Sequence, residues 1–256
     1  MFVHGVSTGF LDVGTRVRAG TIVQHPTRIY FLGKALWSKG YRELLDALSH
    51  AASTGHGFEC DVYGKGEHLG EIQAEADDKN LQVAFHGAKD HLDPALHTFK
   101  IFINPSTSDV VATTSAEALA MNKWLVCQRH PCNTFFEANF ANTLVYDDLD
   151  GFVACVDRAM ANAPAPLTDE ERRLLTWEDA CDRLLAVVGT DVATNNAIKS
   201  TLESLTYTAY SKLLGIELIR RAVGAGRNTK RDEGEAELTA QLEELAQLET
   251  YPQGCY

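Results

Sequence analysis

The sequence lacks long hydrophobic runs and any excess of basic residues. No apolar stretch approaches the roughly 18 residues that a transmembrane helix needs. The formal net charge is −12, so there is no overall basic field to attract nucleic acid or anionic lipid. The first residues resemble neither a signal peptide nor an Arg- and Ser-rich transit region. We therefore expect no nucleic-acid partner and no spanning segment, and we find no readable localisation signal.

Cysteines are few, and none of them form a CxxC pair. The chain has six, of which Cys127 and Cys132 flank His130. This group invites a zinc interpretation, but the second matching pair that such a site needs is absent from the sequence. We therefore favour a structural role for these thiols, predict no metal and expect a reducing compartment.

Apolar segments alternate with helical patterns along most of the chain. Strands are predicted at 28–32, 58–63, 81–86, 101–104, 124–127 and 143–146. Helices are predicted at 41–54, 67–79, 93–99, 114–121, 134–138, 148–162, 167–176 and 177–188. Such alternation with short connections predicts an α/β fold with a doubly wound parallel sheet. Ligands of such sheets bind at the carboxyl ends of the strands.

The pattern changes after Gly189. Long helices are predicted over 198–222 and 233–249, and the second has leucines along one stripe. We expect a C-terminal helical extension over 189–256. Its basic segment at 220–231 has two interpretations, packing on the main domain, which we favour, or contact with a membrane surface.

Two carboxylates follow the predicted strand 101–104. Asp109 lies on a predicted loop. Glu117 follows it after seven intervening residues, in the first turn of a predicted helix. The unpaired N–H groups of a helix start suit a phosphate, and carboxylates suit sugar hydroxyls. Together they predict a nucleotide-sugar pocket. Alternatives remain open, since Thr114 and Glu117 have the spacing of a capping box, and a loop aspartate can bond its own backbone.

Lysines and glycines mark the other predicted loops at this sheet edge. Lys34 and Lys39 follow the first strand and have two interpretations, a clamp for a diphosphate leaving group or two solvated lysines. Gly33 permits a sharp turn beside them. Gly64, Gly66 and Gly70 imitate a dinucleotide fingerprint, but they follow the second predicted strand, whereas that fingerprint usually follows the first. A turn that lets the backbone approach a nucleotide, or a plain tight turn, is the simpler interpretation.

Several motifs in order resemble one family. They are VHGV at 3–6, FLGKALWSKGYRELL at 31–45, DVYGKGE at 61–67 and NPSTSDVV at 104–111. With the carboxylate-x7-carboxylate spacing, this series resembles the digalactosyldiacylglycerol synthases, which are retaining GT-B glycosyltransferases. The likeness covers about residues 3–188. The broader GT-B signature has Glu and a Gly-rich run where this chain has Asp109 followed by Val-Val-Ala, so the exact sugar contacts are left open.

The resemblance implies galactosyl transfer from UDP-galactose to monogalactosyldiacylglycerol with retention, without a metal or other cofactor. It implies that Asp109 contacts the donor sugar or its oxocarbenium-like form, that Lys34 and Lys39 hold the diphosphate, and that Glu117 binds ribose hydroxyls. Further donor-binding positions are Gly33, Gly64, Gly66, Gly87 in the base-contacting loop, Thr113 and Thr114.

The resemblance further implies a Rossmann-like donor domain at 21–188 and an interdomain-type connection at 1–20. On this basis the chain is expected to be the donor-binding half, with the galactolipid acceptor bound through a missing N-terminal half, and to transfer poorly alone. The implied location is peripheral, at the chloroplast outer envelope. The alternatives are another UDP- or GDP-sugar transferase, a NAD-type oxidoreductase, and a non-catalytic nucleotide-binding or partner-docking fragment.

Overall fold

The computed structural model of the protein describes residues 4–108 and 112–188. Within these ranges six strands alternate with helices. The strands are β1 (His25–Leu32), β2 (Cys60–Tyr63), β3 (Val83–Phe85), β4 (Phe99–Asn104), β5 (Trp124–Gln128) and β6 (Thr143–Tyr146).

The helices of the described ranges cover the sheet and the segment after it. They are α1 (Thr8–Arg18), α2 (Tyr41–Ser53), α3 (Leu69–Asp78), α4 (Pro94–His97), α5 (Thr113–Ala120), α6 (Thr134–Asn139), α7 (Leu149–Ala161), α8 (Asp169–Leu174) and α9 (Trp177–Val188). Short 3-10 turns add Trp37–Lys39 and Pro131–Asn133. None of these described helices has the length and apolar character needed to cross a membrane.

All neighbouring strands pair in parallel in the order β3-β2-β1-β4-β5-β6. The order runs outward from β1 in one direction and outward from β4 in the other. The connections therefore diverge at the β1–β4 boundary, which is the topological switch point of a doubly wound sheet. The predicted α/β class and doubly wound parallel sheet are confirmed.

The central strands are buried on both faces because each face has its own core. Every residue of β4 is buried, as expected of a parallel strand covered by helices on both sides. Ile29 of β1 faces a core formed with α2, α3 and α7. The next residue, Tyr30, faces the opposite core, formed with α1, α5 and α6. This period of two assigns successive side chains to opposite faces.

The sequence pattern did not predict α1. Its two glycines weaken the helical pattern, yet Gly14 is required by packing, because a Cβ there would lie 2.1 Å from the carbonyl oxygen of Ala120. The backbones of α1 and α5 thus approach closely, and Phe10 and Val13 are buried in the same core as α5. A tertiary contact therefore stabilises this helix despite its low intrinsic propensity.

The predicted helix 93–99 is shorter in the structure. Asp93 caps α4 by accepting a hydrogen bond from the backbone N–H of Ala95 at 2.8 Å, and the helix ends at His97. Phe99 already belongs to β4, where it pairs with His25. The predicted helices at 198–222 and 233–249, and with them the C-terminal extension, lie outside the described residues.

A fully buried lysine connects α4 to β4 and β5. The Nζ atom of Lys123 donates to the carbonyl oxygens of Leu96 at 2.7 Å and Phe99 at 2.5 Å, and lies 3.4 Å from that of His97. Two of these carbonyls belong to the last turn of α4, where a lysine amine compensates the unpaired helix end. Burial lowers the pKa of Lys123 to about 7.

We expect Lys123→Met to lower the free energy of unfolding by about 2 kcal/mol or more near pH 8, because buried carbonyls lose their donor. Urea unfolding followed by circular dichroism measures the change. The matched control is Lys34→Met, which alters an exposed lysine and is expected to change the free energy by less than about 0.5 kcal/mol.

The stability difference between wild type and Lys123→Met is also expected to grow between about pH 7 and pH 8.5. The unfolded lysine has a pKa of about 10.4, so over this interval the unfolded state binds more protons than the folded state. The free energy of unfolding of the wild type then rises with pH, and the variant lacks this contribution. A difference that is constant or shrinks across the interval contradicts a lowered pKa at Lys123.

Candidate functional site

A cavity of about 450 Å³ opens at the carboxyl edge of the sheet, at the switch point between β1 and β4. The ends of β1, β2 and β4, the loops after β1, β2 and β3, and the first turn of α5 form its wall. Its volume lies in the range of about 300–1,000 Å³ that is usual for small-molecule sites. The loops that the sequence predicted to converge do so here.

Lysines dominate the charge of this cavity. Lys34 and Lys39 follow β1, Lys65 follows β2 and Lys89 follows β3, and all four line the wall. Lys89 pairs with Asp93 at 3.3 Å, whereas Lys34 and Lys65 make no ion pair with any residue in the described part of the chain. The predicted convergence of Lys34 and Lys39 is present, and the other two lysines were missed. Their position directly after predicted strands was the available signal.

The N-terminus of α5 faces the same cavity. Thr113 and Thr114 line the wall, and the N-cap residue Ala112 has no side-chain hydrogen bond to the first turn. The capping-box interpretation of Thr114 and Glu117 is therefore wrong, and the helix begins one residue earlier than predicted. The first backbone N–H groups of a helix have no acceptor within the helix, so this end can receive an anion.

The carboxylate of Glu117 instead bonds a histidine from the loop after β3. Glu117 Oε2 lies 2.7 Å from Nδ1 of His91, and His91 lines the cavity. The hydrogen bond to Glu117 raises the pKa of His91 above its ordinary value, and burial opposes this shift. His91 was not among the site residues predicted from the sequence. Nothing in its sequence spacing pairs it with Glu117, because the partners are 26 residues apart.

The predicted glycines allow two loops to pack against each other. A Cβ at Gly64 would lie 1.8 Å from the carbonyl oxygen of Gly33, and a Cβ at Gly66 would lie 2.4 Å from that of Ala35. Gly33 and Gly64 line the cavity, and Gly87 has a φ of +70° and accepts a hydrogen bond from the N–H of Gly64 at 2.8 Å. Loop packing after β1 and β2 therefore accounts for Gly64 and Gly66, whereas a Cβ at Gly70, the third glycine of the fingerprint-like spacing, would meet no atom within 4 Å.

The loop after β1, which contains Lys34 and Lys39, also contacts the segment that leads to Asp109. Gly40 has a φ of +87°, and a Cβ there would lie 2.8 Å from the backbone nitrogen of Ser106. Ser106 in turn donates its N–H to Asn104 Oδ1 at 3.2 Å, and the Ser108 hydroxyl donates to the carbonyl oxygen of Ser38. Asp109 itself lies outside the described residues, so its three candidate roles stay predictions.

No group of three or more His, Cys, Asp or Glu side chains suited to a metal occurs within residues 4–108 and 112–188. Cys127 is buried in β5. The Sγ atom of Cys132 lies 3.0 Å from Nδ1 of His130. The described side chains thus offer no further ligand for a zinc ion beside Cys127, His130 and Cys132.

Comparison with known proteins agrees with the fold. Digalactosyldiacylglycerol synthase 2 of Glycine max is 45 % identical over 192 residues, which cover 74 % of this chain and 41 % of the relative. Digalactosyldiacylglycerol synthase 1 of Arabidopsis thaliana is 44 % identical over 197 residues, which cover 76 % and 24 %. The chain thus spans between about a quarter and two fifths of the length of these relatives.

A solved structure of S. aureus TarM superimposes with a TM-score of 0.55 at 17 % identity, covering 66 % of this chain and 36 % of TarM. At this identity the likeness establishes the fold alone. The sequence model of the family described as glycosyl transferases group 1 matches residues 26–162, a segment that contains β1 except for His25, all of β2 to β6 and all residues that line the cavity. This match covers more than half of the residues of the chain. The chain therefore belongs to the glycosyl transferases group 1 family.

Proposed function

We propose that this chain binds UDP-galactose and is the donor half of a retaining galactosyltransferase that converts monogalactosyldiacylglycerol into digalactosyldiacylglycerol. The observation that carries the proposal is the lysine-lined cavity at the switch point, whose wall includes a helix N-terminus and His91, the hydrogen-bond partner of Glu117. Relatives named as digalactosyldiacylglycerol synthases support the substrate assignment.

The diphosphate of the donor would lie between the lysines and the start of α5. Lys34 is exposed at the cavity wall, and it has no ion pair among the described residues, so its charge is available to a phosphate. Transfer leaves a nucleoside diphosphate with increasing negative charge, and ammonium groups already in place stabilise that charge in the transition state. Lys39 and the N–H groups of Thr113 and Thr114 would share this role, and we propose that no metal ion is required.

The two carboxylates would bind the sugars on either side of the diphosphate. Glu117 is one turn inside α5, with its side chain 15 % exposed, and we propose that it accepts hydrogen bonds from ribose hydroxyls. We propose that Asp109 contacts the galactose and stabilises positive charge at its anomeric carbon. The acceptor would then attack from the face that the leaving group occupies, which retains the configuration. Backbone groups near Gly87 would contact the base.

The acceptor site requires a second unit. GT-B enzymes place their active site between two Rossmann-like halves, and the described residues form one such sheet. The galactolipid would therefore bind on another half, and the chain by itself would bind the donor yet transfer slowly. The relatives are named chloroplastic, which supports a chloroplast location, and we propose peripheral association with the outer envelope.

Lys34→Ala is expected to weaken UDP binding by about 10-fold or more, because a hydrogen bond to a charged group contributes about 1.5–3 kcal/mol. Binding of pyrophosphate should weaken similarly, since the lysine acts on the phosphates. Titration calorimetry measures both. The control is Lys79→Ala, which removes a lysine that pairs with Asp46 and Glu75 and does not line the cavity. Equal UDP affinity in wild type and Lys34→Ala contradicts the clamp.

Glu117→Ala is expected to weaken UDP binding by about 10-fold as well, but to leave pyrophosphate binding unchanged within about 2-fold, because its proposed contact is with ribose. The matched control is Glu178→Ala, an exposed glutamate in the first turn of α9. A wild-type protein that binds UDP no better than either variant would count against the nucleotide-sugar site as a whole.

A further inference from the structure

We infer that His91 is a positioning residue of the nucleotide site, one that holds the Glu117 carboxylate in the orientation that receives the ribose hydroxyls. The inference rests on the proposed function and deepens it. Neither the sequence pattern nor the comparisons point to His91.

The contact joins the two halves of the doubly wound sheet across the switch point. His91 belongs to the loop after β3, on one side of β1, and Glu117 belongs to α5, which follows β4 on the other side. Their side chains meet at 2.7 Å between Nδ1 and Oε2. His91 lines the cavity with 43 % of its side chain exposed, whereas Glu117 is 15 % exposed. The histidine thus approaches the carboxylate from the cavity side.

Glu117 has no capping partner at the start of its own helix, because the N-cap residue of α5 is Ala112. The spacing from Thr114 to Glu117 is that of a capping box, in which the glutamate folds back onto the start of its own helix. In the structure α5 has no side-chain cap, and the carboxylate is turned toward the loop after β3. A flexible glutamate retains several rotamers unless a partner selects one. His91 provides that selection before any nucleotide arrives.

The position of His91 is itself determined by its neighbours in the chain. Asp90 Oδ1 accepts a hydrogen bond from the N–H of Leu92 at 2.7 Å, and Asp93 caps α4. These two contacts flank His91 and define the loop backbone on either side of it. Because the loop is shaped by its own hydrogen bonds, the histidine can act as a fixed support for a more flexible glutamate.

The contact leaves the carboxylate able to bind a ligand. An ionised carboxylate has about four acceptor positions, and His91 uses one of them on Oε2. Oε1 is not part of this contact and keeps its own acceptor positions for ribose hydroxyls.

The charges around the pair favour the protonated histidine. The hydrogen bond to Glu117, followed by the charges of Glu117 and Asp90, raises the pKa of His91, while burial lowers it. Other titratable groups near the pair are Tyr30 on β1, whose pKa burial and the charge of Glu117 raise, and the cavity lysines. The ionic part of the contact is present below the raised pKa and is lost as pH rises through it.

The experiment compares UDP with 2′-deoxy-UDP, because a residue that acts through Glu117 must change recognition of the ribose. Dissociation constants are measured by calorimetry for wild type, His91→Ala, His91→Gln and Glu117→Ala. Wild type is expected to prefer UDP by about 10-fold, the effect of one charge-assisted hydrogen bond. His91→Ala and Glu117→Ala should both reduce this preference to about 2-fold or less. Pyrophosphate binding should change by less than about 2-fold in either variant.

The conservative variant and a pH series separate positioning from mere structural support. His91→Gln keeps a hydrogen-bond donor for Glu117 and should restore most of the ribose preference. In wild type the preference should fall as pH rises through the raised pKa of His91, and in His91→Gln it should be independent of pH. The ratio of two ligands is used because the terminal phosphate of each titrates near pH 6, and this effect cancels.

The matched control is His50→Ala, which removes a histidine that pairs with Asp150 at 2.6 Å outside the cavity and should leave the ligand ratio unchanged. A His91→Ala protein that keeps the wild-type ratio while Glu117→Ala loses it overturns the inference and leaves the proposed function intact. Failure of the wild type to bind UDP overturns both. If His91→Ala does not fold, a pH-dependent ratio retained in His91→Gln overturns the inference instead.

Discussion

The parallel pairing of β1 with β4 determines where the loops of the candidate site meet. Ile29 pairs with Ile101, and Tyr30 pairs with Phe102, so the two strands end side by side. The chain then leaves β1 toward one side of the sheet and β4 toward the other. Two connections that diverge from adjacent strand ends leave a crevice between them, and in this protein that crevice is the lysine-lined cavity.

Close backbone approach gives this crevice its shape. Gly64 and Gly66 let the loop after β2 rest on the loop after β1, and Gly40 lets the latter rest on the loop after β4. Side chains at these three positions would overlap backbone atoms, so the loops could not converge. The wall is therefore built largely from backbone packing, and the lysines project from a scaffold that is already in place. Such preorganisation is what electrostatic stabilisation of a leaving group requires.

Glu117 illustrates how a local motif and a tertiary contact compete. The spacing of a capping box offers this carboxylate a partner within its own helix, but the structure gives it His91 from a distant loop. An ion pair between partly buried groups is stronger than one in water because the dielectric is lower. The N-cap residue of α5 is Ala112, whose side chain cannot accept a hydrogen bond, so the first N–H groups of the helix are available at the cavity.

The sequence alone was sufficient for the strand–helix alternation, the doubly wound sheet and the convergence of Lys34, Lys39, Thr113 and Thr114, because periodicity and loop position are local properties that parallel pairing places at one edge. It did not predict α1, whose glycines weaken the helical signal and whose close packing on Ala120 is a tertiary contact. It also missed the contact of His91 with Glu117 and the hydrogen bonds of Lys123 to α4. Partners in these contacts are more than 20 residues apart along the chain, and only the folded sheet brings them together.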